Sequence, residues 1–397
     1  MWEADVAIVG AGAAGLSLAH GLSAPVFRRR RLSVVLIDAP PGPLRPPRRT
    51  WCFWEPGSGR FDAAVTASWR HLRIRARTGD PIEGDISPLR YKMINSDDFE
   101  ELVARQVAHN PCLRRLEATV ETVEDVHGGA EVHVRDIDGL PAVVRARWVF
   151  DSRPLGSLPA ARTTLLQHFH GWFVRTARPI FDPGTADLMD FRTPQPRSGL
   201  SFGYVLPLGR REALVEYTEF SSQVLSATDY ETAIRHYAEE VLRLGDLKVL
   251  STETGVIPMT DAPLPQQVGA SVFRIGAAGG ATRPSTGYTF AGLQRQTRAV
   301  AAALHHGRRP VPPPAHSARS RAMDAVLLRT LDSGRADGPD LFTLLFARVP
   351  MRRLLDFLDG RTRLREDLAI GLHVPIGPML RSAVELPFLP RRPFDGP

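Results

Sequence analysis

The sequence predicts an α/β (α+β) fold of two packed domains, one built on a parallel sheet and a second on an antiparallel sheet, followed by C-terminal helices. Three observations predict it. The chain opens with a strand, a glycine-rich turn, a helix and a second strand. Beyond about residue 155 the texture changes to strand-like stretches divided by turn residues. A second glycine-rich turn with a helix behind it comes late in the chain.

In order, residues 6–9 read as a buried strand, 13–21 as a helix of small residues and 32–37 as a second buried strand ending at Asp38. Between the first two lies Gly10-Ala11-Gly12-Ala13-Ala14-Gly15. The first glycine of such a loop allows a tight turn, the second lets backbone approach a pyrophosphate, and the third lets helix and strand pack closely. The phosphates then sit at the helix N-terminus, where free N–H groups and the helix dipole favour anions. Gly10, Gly12, Ala14 and Gly15 are therefore candidate cofactor-binding residues, and Asp38 is placed to accept hydrogen bonds from an adenosine ribose. An N-terminal site of this Rossmann type, with a second glycine loop late in the chain, favours FAD over NAD.

Residues 40–47 form a proline-rich loop leading into the aromatic segment Thr50-Trp51-Cys52-Phe53-Trp54. Residues 71–77 alternate like a strand, and 96–108 have helical spacing behind a serine cap at Ser96. Further strands are expected at 116–123, 130–134 and 143–150, the last ending at Asp151-Ser152-Arg153-Pro154. Residues 167–174, 202–207 and 212–220 read as antiparallel strands interrupted by a helix at 230–244. A strand at 271–275 precedes Gly276-Ala277-Ala278-Gly279-Gly280 and a helix at about 287–306, so Gly276, Gly279, Gly280 and Gly287 are further cofactor candidates. A proline-rich linker follows at 308–314, and 341–358 reads as one amphipathic helix. The expected division is 1–155 with 250–310 as the FAD-binding domain, 156–249 as the substrate-binding sheet domain and 311–397 as a helical segment.

Composition excludes several classes. With 43% apolar and 23% charged residues over 397 positions the chain folds around a sizeable core. The net charge of +7 is carried almost wholly by scattered arginines, Lys92 and Lys248 being the two lysines, which speaks against nucleic-acid binding. Cys52 and Cys112 are too few for a disulfide framework, and Met1-Trp2-Glu3-Ala4-Asp5 is acidic where a secretory leader is basic, so a cytoplasmic setting is expected. No run of about twenty apolar residues exists to span a bilayer, which leaves surface contact with a membrane open. The 12 histidines offer no metal-binding spacing, and no metal is expected.

The aromatic segment at 50–54, Tyr91-Lys92-Met93-Ile94, Gln167-His168-Phe169-His170-Gly171-Trp172, Met189-Asp190-Phe191-Arg192, Leu214-Val215-Glu216-Tyr217-Thr218 and Pro284-Ser285-Thr286-Gly287-Tyr288 follow the glycine loop in a distinctive order. With these segments the chain resembles the bacterial lycopene cyclases, FAD-dependent carotenoid cyclases with a p-hydroxybenzoate-hydroxylase-like fold. The resemblance runs over nearly the whole length. It implies cyclisation of the open ends of lycopene to β-ionone rings, an isomerisation catalysed by an intramolecular lyase, giving β-carotene through a monocyclic intermediate. It further implies reduced FAD as the active cofactor, NAD(P)H as a reductant and, since lycopene dissolves only in membranes, docking on the cytoplasmic membrane surface.

Glu216 matches the family's functional glutamate, and a carboxyl buried among apolar groups stays protonated as a donor. Tyr217 stands where plant-type relatives carry a second glutamate. Strand alternation puts Glu216 and Thr218 on one face and Glu219 on the other. The base is left open between ionised Glu216 and the flavin. Trp51, Trp54, Trp172, Phe202 and Tyr204, with Phe53, are the candidate pocket lining, and His168 and His170 are expected around it. Asp190 and Arg192 read equally as an ion pair shaping the sheet or as a catalytic pair. Ala277 stands where related monooxygenases carry an aspartate, and Arg283 where many cyclases carry histidine. The main alternatives are an FAD-dependent monooxygenase or a geranylgeranyl-reductase-like oxidoreductase. The Asp-Gly motif of the monooxygenases is missing at Asp151-Ser152. A flavin- or carotenoid-binding protein without turnover is the non-enzymatic alternative. Residues 341–358, with Arg348, Arg352 and Arg353, suit either an interfacial helix or a helix packed on the core.

Overall fold

In chain order the elements are β1 (Trp2–Val9), α1 (Ala13–Ser23), β2 (Val34–Asp38), β3 (Thr50–Pro56), β4 (Val65–Trp69), β5 (His71–Arg75), β6 (Ile82–Asp85), β7 (Leu89–Asn95) and α2 (Ser96–Ala108). Next come β8 (Leu113–Val126), β9 (Gly129–Asp136), β10 (Pro141–Asp151), β11 (Thr164–Thr176), β12 (Thr185–Asp190), β13 (Leu200–Pro207), β14 (Glu212–Ser221) and α3 (Ala227–His236). The chain ends with β15 (Leu247–Thr260), β16 (Val272–Arg274), α4 (Phe290–His305), α5 (Ala318–Asp332), α6 (Gly338–Arg348), α7 (Met351–Leu358), α8 (Leu364–Gly371) and α9 (Ile376–Glu385). These come from a computed structural model that describes residues 2–23 and 31–394; Met1 of the acidic opening and the last three residues of the helical segment lie outside them.

The first layer is a sheet in which β16, β10, β1, β2 and β8 run parallel, while β9 pairs antiparallel with both β8 and β10. Val6 to Val9 and Val34 to Ile37 are buried throughout, as strands covered on both faces must be. Helices α1, α2 and α4 cover one face through Leu16, Phe99 and Phe290.

The second layer is a seven-stranded sheet, β15-β11-β14-β13-β12-β5-β6. One face packs on α3, where Trp172, Tyr217, Tyr230 and Tyr237 form a core. The other packs on the C-terminal helices and on the small sheet β3-β7-β4. Because β15 pairs with β11 along its whole length, the expected boundary at 249/250 falls inside a strand of this sheet. Residues 71–85 also belong to it, through β5 and β6.

Three expected elements are corrected. Residues 341–358 form two helices, because Pro350 lacks the N–H that would continue the first and holds Val349 extended at φ −114, ψ 129. Their apolar side, Leu341, Phe342, Phe346, Leu354 and Leu355, is spent on the core, which removes the interfacial reading of this segment. The helix expected at 230–244 ends at His236 and passes through one wide turn, Tyr237–Val241. Ser96 is the first residue of α2 and not its cap; its hydroxyl accepts from Arg49 N–H at 3.0 Å and so ties the helix to the approach of β3.

Candidate active site

The glycine loop has the form a dinucleotide needs. Gly10 sits at φ +92, a left-handed conformation that side chains resist. A Cβ on Gly15 would overlap the Gly10 carbonyl oxygen, so α1 crosses β1 as closely as backbone permits. A Cβ on Gly12 would meet nothing within 4 Å, leaving the N-terminus of α1 open to a ligand. Asp38 ends β2 as expected and is held by Arg115 and, at 3.7 Å, by Arg45. The second glycine loop comes to the same place: a Cβ on Gly276 would stand 2.7 Å from the Ala14 Cβ. Gly276 to Gly279 form one short turn after β16, Gly280 continues it at φ +73, and Gly287 lies beside Gln167 at the wall of the main cavity. The residues present thus fit an adenine dinucleotide along the first sheet, reaching toward the second.

That cavity, of about 680 Å³, lies between the seven-stranded sheet, the 285–290 segment and α5 to α9. Trp51, Phe202 and Tyr204 line it, as does Glu216. Glu216 projects from β14 with one hydrogen-bond donor, the Thr218 hydroxyl at 2.7 Å, and burial pushes its pKa from 4.5 up to about 8. At neutral pH the group is therefore a carboxylic acid in an apolar chamber. Beside it the hydroxyls of Tyr91, Tyr204 and Tyr288 form a cluster, Tyr91 and Tyr288 at 2.8 Å, and burial pushes the Cys52 thiol among them up to about 12.

Trp172 and Trp54 do not line the cavity. On β11 the odd residues Gln167 and Phe169 line it, so His168, His170 and Trp172 point the other way, against α3. His168 is buried there between the Tyr230 hydroxyl at 2.6 Å and Ser221 at 2.7 Å. Trp54 packs behind Tyr288 and donates to the Leu355 carbonyl at 3.1 Å, a supporting position one layer back. Glu219 faces away from Glu216, as alternation predicts, and accepts from Tyr217 at 2.6 Å. Asp190 and Arg192 form an ion pair at 2.6 Å that also receives the Tyr237 hydroxyl, a role in shaping the sheet. Arg283 is buried in a pair with Asp324 at 2.8 Å and donates to the Leu358 carbonyl at 3.1 Å, pinning the C-terminal helices to the second glycine loop.

Sequence reasoning missed Glu253, a buried carboxylate at the cavity wall, together with the aliphatic walls from α5 to α9. The stretch Ser251-Thr252-Glu253-Thr254 carries strand-forming threonines but no apolar alternation to announce its buried face.

A two-layer α/β chain with a glycine-loop dinucleotide site and an acid in an apolar cavity defines a two-domain flavoprotein fold. Solved structures agree. The chain matches a geranylgeranyl bacteriochlorophyll reductase-like protein from Thermoplasma acidophilum with a TM-score of 0.64 and 14% identity, over 97% of this chain and 100% of that one. It matches a flavoprotein/dehydrogenase from Cytophaga hutchinsonii with a TM-score of 0.61 and 16% identity, over 97% and 99%. It also matches p-nitrophenol 4-monooxygenase from Pseudomonas putida with a TM-score of 0.59 and 14% identity, over 99% and 100%. No curated protein matches the chain. The family model described as lycopene cyclase protein matches residues 5–384, and the chain belongs to that family.

Proposed function

We propose that this protein is a lycopene β-cyclase that binds FAD through Gly10, Gly12, Ala14, Gly15, Asp38 and the Gly276 to Gly287 region. The observation that carries the reading is Glu216, an acid held neutral at pH 7 on the wall of an apolar cavity. When bound and reduced, the flavin supplies negative charge next to a developing carbocation. Glu216 donates its proton to the terminal double bond of lycopene, and the internal alkene closes on the resulting cation to make the six-membered ring. The faces of Trp51, Phe202 and Tyr204 attract the cation, and the aliphatic wall excludes the water that would quench it. No electrons are consumed, so NAD(P)H serves only to reduce the flavin.

A membrane-dissolved substrate needs an entrance at a lipid surface. Leu364, Leu368 and Leu372 on and just after α8, then Ile376, Leu380, Val384 and Phe388 on and after α9, repeat every fourth residue and are all exposed. Leu368, Ile376 and Leu380 also line the cavity, so this apolar stripe is continuous with the site. Arg363 at the cap of α8, Arg365 on α8 and Arg381 on α9 suit anionic headgroups. We assign docking on the cytoplasmic membrane to this surface, in place of residues 341–358. Among the described residues no helix is long and apolar enough to cross a membrane.

The test is product analysis. Protein loaded with FAD, reduced under anaerobic conditions and given lycopene in liposomes should yield cyclic carotenes of unchanged mass. A product heavier by oxygen or by two hydrogens would instead assign it to the oxidoreductase chemistry of its fold relatives. Unchanged lycopene from folded, flavin-loaded, reduced protein would refute the cyclase reading.

A further inference from the structure

The sheet carries a second carboxylate into the cavity. Residues directly opposite one another on neighbouring strands project to the same face. Tyr204 on β13 lies opposite Glu216 on β14, Glu216 lies opposite Gly171 on β11, and Gly171 lies opposite Glu253 on β15. One row therefore crosses four strands on the cavity side: tyrosine, glutamate, glycine, glutamate. With strands about 4.8 Å apart, the two glutamate backbones stand roughly 10 Å from each other. Between them Gly171 brings no side chain of its own, and the room above its backbone is taken by Leu214 and the Cβ and Cγ of Glu216, so that no bulky residue stands in the row between the two glutamates. Both glutamates line the cavity.

We propose that Glu253 is the general base that removes the ring proton, acting from two strands away on the same sheet face as the acid Glu216. The proposal rests on the cyclase reading. Each oxygen of Glu253 is met by a donor from Thr50, the backbone N–H at 2.7 Å and the hydroxyl at 2.6 Å. Arg48 and Arg49 add positive potential from the same approach to β3, and Glu216 is the acid that faces it across the sheet. Among the described residues Glu216 has only the Thr218 hydroxyl for its carboxyl. Burial raises both groups; against it Glu216 has the one Thr218 hydroxyl and is raised further by the charge of Glu253, whereas Glu253 has two Thr50 donors and the two arginines, which favour its ionised form. Two carboxyls whose surroundings push them apart divide naturally into acid and base.

The balance closes without a redox partner. Glu216 gives one proton to the terminal alkene, one carbon–carbon bond forms, and Glu253 takes one proton from the ring carbon next to the cation as the ring double bond forms. The pair is then left as Glu216 carboxylate and Glu253 acid, and the proton returns to Glu216 through water admitted when product leaves. The position of the base also selects which proton is lost, and so the position of the double bond in the ring.

Three variants test it: Glu253→Gln, which keeps one oxygen acceptor for Thr50, Glu253→Asp and Thr50→Val. Each is assayed as the flavin-loaded protein in D2O with lycopene liposomes, beside the unaltered protein. Glu253→Gln should lower kcat by about 10²- to 10⁴-fold with KM little changed. Deuterium should meanwhile accumulate in recovered lycopene, because Glu216 still protonates an alkene that can only revert. Glu253→Asp should keep part of the rate. Thr50→Val should move the acidic limb of kcat/KM to higher pH. Unchanged turnover in Glu253→Gln overturns the proposal, as does loss of turnover with no deuterium exchange, which marks Glu253 as a structural tie to Thr50. If the unaltered protein itself makes no cyclic product, the failure is that of the cyclase reading and the base assignment falls with it.

Discussion

Replacing Glu216 by glutamine should make the protein more stable while abolishing its chemistry. Unfolded, the carboxyl ionises near 4.5; folded, it keeps its proton to about 8. Between those values the folded chain binds the extra proton, so stability contributed at this site falls as pH rises through the window and is flat on either side. The slope is about 1.4 kcal/mol per pH unit, and at pH 7 the accumulated cost is about 3 kcal/mol. Glutamine retains an oxygen for the Thr218 hydroxyl and has no proton to hold, so Glu216→Gln should recover much of that amount. Urea denaturation of both proteins at pH 5, 6, 7 and 8 reads the difference, which should be below about 1 kcal/mol at pH 5 and largest at pH 8. The same variant should bind FAD and lose cyclisation by at least about 10²-fold. Parallel stability curves across the window would refute the buried neutral acid, and an active variant would refute its role as donor.

Gly15→Ala should lose about 3 kcal/mol or fail to hold FAD, because its Cβ has only the Gly10 carbonyl to move; flavin retention after gel filtration checks it. Asp324→Ala leaves the Arg283 guanidinium buried without its counter-charge and should cost about 3–5 kcal/mol in denaturant titration. The double variant Leu368→Glu with Leu380→Glu should cut binding to anionic liposomes more than tenfold, each side chain contributing about 1.5–3 kcal/mol if it inserts. Its stability should remain close to that of the parent, since both residues are exposed; cosedimentation with liposomes measures the first effect and thermal denaturation the second.

The sequence by itself determined the dinucleotide end of this protein. Gly10, Gly12, Gly15 and Asp38 are consecutive parts of one local unit, and their requirements of positive φ, close approach and a strand-end acid are met by neighbours in the chain. Glu216 was legible as well, through its motif and the alternation that turns Glu219 away. What only the tertiary structure decided is which face of each inner strand meets the cavity. β11 is covered on both sides, so its residues show no polar side to mark an orientation, and Trp172 and Phe169 look equivalent until α3 takes one face and the cavity the other. Glu253 depends on this most. It reaches Glu216 through pairings of β11 with β14 and β15, contacts between strands far apart in the chain, and is fixed there by Thr50 two hundred and three residues earlier. The C-terminal helices are a related case: 341–358 and 364–388 are both amphipathic, and only packing shows that the first spends its apolar side on the core while the second leaves its own in the open at the cavity.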